Sequence, residues 1–271
     1  MAGQPAASLI PAFTPLPPSP VTPPPKSPDQ SAATAPSEPT PPSFPHIRVD
    51  REHRTVEIDG SIVLSLADEG IPGGLRTVEL EVLVCTPDSK EHESLIVTKA
   101  RPAHVHAALL LVGLNPGQPG SVEWDGKQPV IIAPTGDRVI VEFQYASKET
   151  GATWLIDPCT WITRRDGTSL CDPAAPNTGP RGARMTQFLF TGSRFRSMPK
   201  ADAPGERADV YMADGAGTLI GLSTFGTETI AMADVHSPDS QVQPAAFFAA
   251  KSLPEFGTPV IVRIRAEPLA R

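Results

Sequence analysis

Cysteine is scarce in this chain: Cys85, Cys159 and Cys171 are the three in 271 residues. So few cannot build the disulfide framework that staples small secreted domains. No apolar run approaches the ~18 residues that a membrane-spanning helix needs. The longest helical apolar stretch, Ala107 to Leu114, is far too short. A basic surplus is missing as well, with 23 Lys and Arg against 30 Asp and Glu and a net charge of −7. That balance excludes the electrostatic footprint of nonspecific nucleic-acid binding. A basic segment followed by an apolar one, the pattern of an export signal, does not open the chain. The one candidate, Ala6 to Phe13, is interrupted at Pro11 and followed by Pro15.

Proline is the residue in excess. Fifteen of its 33 copies fall between Met1 and Pro45, which hold only three charged residues, Lys26, Asp29 and Glu38. A segment with so little apolar surface cannot offset its ordering entropy, so residues 1–45 are predicted to be a disordered arm. Runs such as Pro23-Pro24-Pro25 bias it toward extended polyproline II, a semi-rigid spacer. The competing role, a ligand for an aromatic-lined domain, lacks the usual flanking basic residues apart from Lys26. Pro/Ala/Ser/Thr-rich arms commonly separate an envelope anchor from a folded domain, so the cell envelope is the expected location, with the cytoplasm the alternative. Residues 46–271 are expected to form one domain.

Within that domain four Asp-Gly pairs stand at 59–60, 125–126, 166–167 and 214–215, and Asp-Gly suits tight hairpins. The spacing predicts one hairpin from Arg54–Ile58 and Ser61–Leu64, and another from Asp209–Met212 and Thr218–Leu222. Further strands are predicted at 46–50, 78–85, 93–98, 138–145, 187–191 and 259–265. One helix is evident, at about 102–113: Pro102 suits its first turn, Val105, Ala108, Leu109 and Val112 share a face, and Gly113 suits its end. The predicted fold class is α+β, mainly antiparallel β-sheet with that single evident helix. Cys159 and Cys171 flank the Asp166-Gly167 turn. A bridge between them would contribute roughly 3 kcal/mol by loop closure; three free thiols is the equal alternative.

The densest polar cluster is Cys85 to Ser94, holding Cys85, Lys90, His92, Glu93 and Ser94 between two predicted strands. A loop carried on a rigid sheet is where sites usually sit; the plain alternative is a solvated connection. A zinc-protease motif fails, since Ile96 stands where the second histidine is needed. Cys85 reads as a buried strand cysteine rather than a nucleophile, for no protease signature surrounds it. His104 and His106 fall about 200° apart on the predicted helix and cannot share a metal. Ser193 follows a strand, but Thr191 and Phe195 occupy the glycine positions of a serine elbow.

Taken together, Lys90-Glu91-His92-Glu93-Ser94 after the strand ending in Cys85-Thr86, His106 to Gly113, and Phe190-Thr191-Gly192-Ser193 carry a resemblance. With Ile47 to Asp50, Thr55 to Ile58 and Gly257 to Ile264, they are similar to the YdjY-like domain of bacterial envelope proteins. The resemblance covers about 46–265. It implies an envelope setting and no assigned reaction, and it makes His92, Glu93 and Ser94 a site. Some relatives are associated with iron–sulfur proteins, a role that three scattered cysteines cannot fill here.

The expectation is therefore a noncatalytic binding or structural module of the envelope. Its binding residues are Cys85, Lys90, His92, Glu93, Ser94 and Ser193, with no cofactor, no metal and an envelope or protein partner. The competing expectation is a hydrolase with His92 as general base and Glu93 orienting it, with or without the assistance of a metal. A redox role for Cys85 is the third.

Overall fold

The computed structural model describes residues 44–67, 70–148, 150–168, 188–200, 202–203 and 205–267. The expectations for the Pro-rich arm before Phe44 and for Cys171 lie outside the described residues.

In chain order the strands begin with β1 (Ile47–Asp50), β2 (Thr55–Ile62), β3 (Glu79–Leu80), β4 (Val82–Cys85) and β5 (Ser94–Val97). Helix α1 (Pro102–Leu111) comes next, then β6 (Ser121–Trp124), β7 (Pro129–Ile132), β8 (Asp137–Ala146) and β9 (Thr153–Ile156). After β10 (Ile162–Arg164) come β11 (Phe188–Phe190), β12 (Phe195–Pro199) and β13 (Arg207–Tyr211). The short helix α2 (Met212–Ala216) leads to β14 (Thr218–Gly221), β15 (Ile230–Met232), β16 (Phe247–Ala249) and β17 (Pro259–Ala266).

Eight strands close into a barrel, in the order β2-β17-β8-β11-β15-β14-β4-β5 and back to β2. Two pairs in that ring, β14–β15 and β4–β5, are parallel and the rest antiparallel. The expected α+β class, mainly antiparallel sheet with one evident helix, is thus wrong: the domain is predominantly β, closed into a barrel. Closure hides in long-range pairings such as Ser61 with Val97, which no local pattern announces. The physical reason for closing is the edge: a barrel leaves no unpaired strand to recruit another chain.

Period-two alternation was the reliable local signal. Val139, Val141 and Phe143 of β8 are buried, as are Val260, Val262 and Ile264 of β17. On the other face Arg265 makes two bonds to the Glu142 carboxylate, 3.1 and 3.2 Å long. The buried residues form one cluster from Val56 to Ile264 that includes Val105, Ala108 and Leu109 of α1, so the predicted helix face is the buried one. Both ends of α1 are held by charges from distant segments. Asp214 Oδ1 accepts from the Ala103 amide at 2.8 Å, and Arg54 donates to the Val112 and Gly113 carbonyls at 3.0 and 2.8 Å. Each charge has the sign that the helix dipole favours at that end.

Both predicted Asp-Gly hairpins are overturned. Asp59-Gly60 lies inside the continuous strand β2, whose first half pairs β1 and whose last residues pair β5 along the same edge. A Cβ at Gly60 would stand 2.7 Å from Ile96 Cγ2 and 3.1 Å from the Val97 carbonyl, so glycine is there for close approach. Asp214-Gly215 lies within α2, where the aspartate is engaged in holding α1; the left-handed residue that ends α2 is Gly217, at φ +71°. The predicted 78–85 strand is interrupted at Glu81, with β3 joining a separate sheet ordered β10-β16-β3. Two-stranded hairpins β6–β7 and β12–β13 complete the described sheets.

Candidate functional site

The connection from β4 to β5 is a short, self-bonded loop. The Glu91 carboxylate accepts from the amides of Asp88 and Ser89 at 2.5 and 2.9 Å, fixing a turn in which Asp88 has φ +58°. Ser89 Oγ donates to the Thr86 carbonyl at 2.6 Å. The Lys90 carbonyl accepts from the Ser94 hydroxyl at 2.6 Å and from the Glu93 amide at 3.2 Å. These bonds explain why a polar run folds tightly here: two amides and two carbonyls of the loop find side-chain partners within it.

The expected site residues separate by depth. Cys85 and Ser94 are fully buried. Burial pushes the Cys85 thiol up, against the opposing influence of Ser94, the Lys90 backbone and Ser89. Above them Lys90 Nζ donates to Glu93 Oε1 at 2.6 Å and sits 4.0 Å over the Phe225 ring. The His92 side chain is 78% exposed, its Nε2 3.7 Å from Glu93 Oε2. That separation exceeds a hydrogen bond, so Glu93 does not orient the imidazole as a base would need.

One partner was missed by the sequence reading. Glu81, at the break between β3 and β4, lies carboxyl to carboxyl with Glu93, and its amide donates to the Glu93 carbonyl at 3.1 Å. Desolvation, then the Glu93 charge, pushes the Glu81 carboxyl up to about 7, with Lys90 opposing. The signal was available: Glu81 stands between Leu80 and the run Val82-Leu83-Val84, a charge at the start of an apolar strand.

Ser193 belongs to a second network. At φ +57°, it donates to the Thr227 carbonyl at 2.6 Å and accepts from the Ala213 amide at 3.1 Å. Beside it the Gly192 amide donates to Thr229, and Thr191 Oγ1 reaches the carbonyls of Glu228 and Thr229 at 2.9 and 3.2 Å. His106 Nδ1 lies 3.0 Å from Tyr211 Oη, which lies 3.1 Å from Thr229 Oγ1. Desolvation pushes the His106 imidazole down and the Tyr211 hydroxyl up. His104 instead packs against Phe44, so the two histidines have different neighbours.

The two networks meet in the turn from Ser223 to Thr229. Phe225 lies under Lys90, Thr227 holds Ser193, and Glu228 closes the turn with its carboxylate on the Phe225 amide. Glu228 is fully buried, and desolvation raises its pKa. Cys159, the remaining described cysteine, is buried and disulfide-bonded, whereas Cys85 is free.

Lys90-to-Ser94 and Phe190-to-Ser193, joined through this one turn, both lie within a family match. The model of the YdjY domain matches residues 47–265. The chain belongs to the YdjY domain family. No curated protein and no solved structure matches it. The YdjY domain match spans the whole described barrel, from β1 to β17, and assigns no reaction. Within the YdjY domain, no group of three or more His, Cys, Asp or Glu side chains among the described residues is arranged to hold a metal ion. No helix among the described residues is long and apolar enough to cross a membrane.

Proposed function

We propose that this YdjY domain is a noncatalytic binding module of the cell envelope, carried on residues 1–45 as a spacer. One observation carries the reading: the cluster's nucleophiles lie below its surface and are already bonded, whereas its charged tips reach solvent. Cys85 and Ser94 are fully buried, and Ser193 serves as a brace between α2 and the Thr227 carbonyl. The recognition patch is then His92 with the partly exposed Lys90 and Glu93, held up by Glu81 and Phe225. Nucleic acid is a poor partner for a chain of net charge −7.

The test uses His92→Ala and Lys90→Ala in the full chain. The expected result is an unchanged thermal transition, weaker retention on isolated envelope fractions, and no turnover of chromogenic esters by either variant or the parent. Ester hydrolysis that disappears with His92→Ala would establish the hydrolase reading instead. Collapse of the thermal transition in His92→Ala would make the cluster structural.

A further inference from the structure

The sheet β10-β16-β3 carries a groove of about 730 Å³ that the polar cluster does not share. Its charged lining is Arg76, Arg164, Arg165 and Lys251, and no Asp or Glu is among the described residues that line it. Thr77 and Thr163 add hydroxyls. In a chain with seven more acids than bases, four cations around one concavity run against the overall charge. A concave surface of one sign focuses its field and concentrates a counter-ion there.

The groove is also prepared for a specific kind of ligand. Arg76 is fixed by its own backbone amide on the Leu66 carbonyl, 2.9 Å, and by Nε on the Ser65 carbonyl, 2.9 Å. Thr163 is placed by β10 pairing with β16, where it faces Phe248 in register. The neighbouring Asp166 carboxylate accepts from the Thr168 amide at 2.9 Å and hydroxyl at 2.7 Å and is close enough to feel the Arg164 charge, so the excess charge of the groove rests on Arg76, Arg165 and Lys251. Planar guanidinium groups match phosphate oxygens two at a time, and a lysine adds a point charge. The volume lies in the range of small-ligand sites and exceeds what one phosphate fills. We infer that this groove binds a polyphosphate-type anion, one carrying at least two phosphate groups, at a site separate from the His92 patch.

Calorimetric titration of the full chain with pyrophosphate, at low and then raised salt, is the direct experiment. Arg165→Gln with Lys251→Gln removes two exposed cations, and Lys127→Gln, on the β6–β7 turn, serves as the control for general charge. The expected result is saturable binding that weakens with salt, falls about tenfold or more in the double variant and persists in the control. A second arm sediments the protein with phosphatidylglycerol vesicles against phosphatidylcholine ones. Groove-dependent binding to the anionic vesicles without a pyrophosphate response assigns the same phosphate chemistry to a lipid headgroup. No binding in either arm, or equal loss in the control and the double variant, overturns the inference. The His92→Ala protein separates it from the preceding proposal, since it should bind pyrophosphate like the parent.

Discussion

Glu81 and Glu93 face each other carboxyl to carboxyl at the start of the parallel pair β4–β5, with Lys90 bonded to Glu93 from the solvent side. The arrangement keeps Glu81 protonated far above the usual carboxylate range, at about 7. In the unfolded chain that proton leaves near 4.5. The folded state therefore holds more protons between those two values, and this group's contribution to stability declines as pH rises through that window. Glu81→Gln should abolish the decline, raising the melting temperature more at about pH 8 than at about pH 5. A parallel upward shift at all pH values would show that the pair does not titrate as argued.

His106 acts with the opposite sign. Burial depresses its folded pKa below 6.5, so the unfolded chain takes up the proton first as pH falls. Stability is lost as pH drops through the folded pKa. The Glu228 pKa is also raised by burial and opposes this trend, so in a Glu81→Gln/Glu228→Gln background the remaining melting curve should rise with pH up to about neutrality. Adding His106→Gln should flatten that rise; an unchanged acid limb would place the titrating group elsewhere, His236 being the next one depressed by burial.

Cys85 gives a kinetic test of the buried base of the patch. With its thiol fully buried and pushed up by desolvation, iodoacetamide should label it in native protein only at the rate of global opening. Prompt labelling at neutral pH would mean an accessible thiolate and would revive a redox role.

Ser193 is the joint whose loss should be felt without any loss of contact to solvent. Removing its hydroxyl strands both the Ala213 amide and the Thr227 carbonyl. Ser193→Ala should cost about 2 kcal/mol in chemical denaturation, from one buried donor and one acceptor left unpaired. Retention on envelope fractions should persist where the variant is folded, because Ser193 supports the patch and is not part of its exposed surface.

The sequence made the strands with clear alternation readable, because burial of one face is a local property of each. Val139 to Phe143 and Val260 to Ile264 carried their own direction, and α1 carried both its buried stripe and its start. The Asp-Gly pairs misled because their chemistry is compatible with several environments. Asp125-Gly126 does turn a hairpin, with Gly126 at φ +93°, whereas Asp214 was recruited to a helix end more than a hundred residues away. The candidate site was half legible for the same reason. Lys90, His92 and Glu93 are consecutive enough to be seen, but Glu81, Phe225 and Thr227 join them only through barrel pairing.

Barrel closure itself can be tested at Gly60. There β2 exchanges β1 for β5, Thr98 Oγ1 donates to the Asp59 carbonyl at 2.6 Å, and the Asp59 amide donates to His46 at 3.0 Å. Backbone and the Ile96 methyl group crowd the space where a side chain would go. Ile96 is fully buried and cannot swing outward, so the overlap must be relieved by moving β5 off β2. Gly60→Val should cost about 1–3 kcal/mol, the usual range for overpacking, and should speed amide exchange selectively at Val63, which donates to the Leu95 carbonyl, and at Val97. Val is a good strand former, so a purely local preference would give the opposite sign. Unchanged stability with unchanged exchange would mean that β2 and β5 do not close the ring.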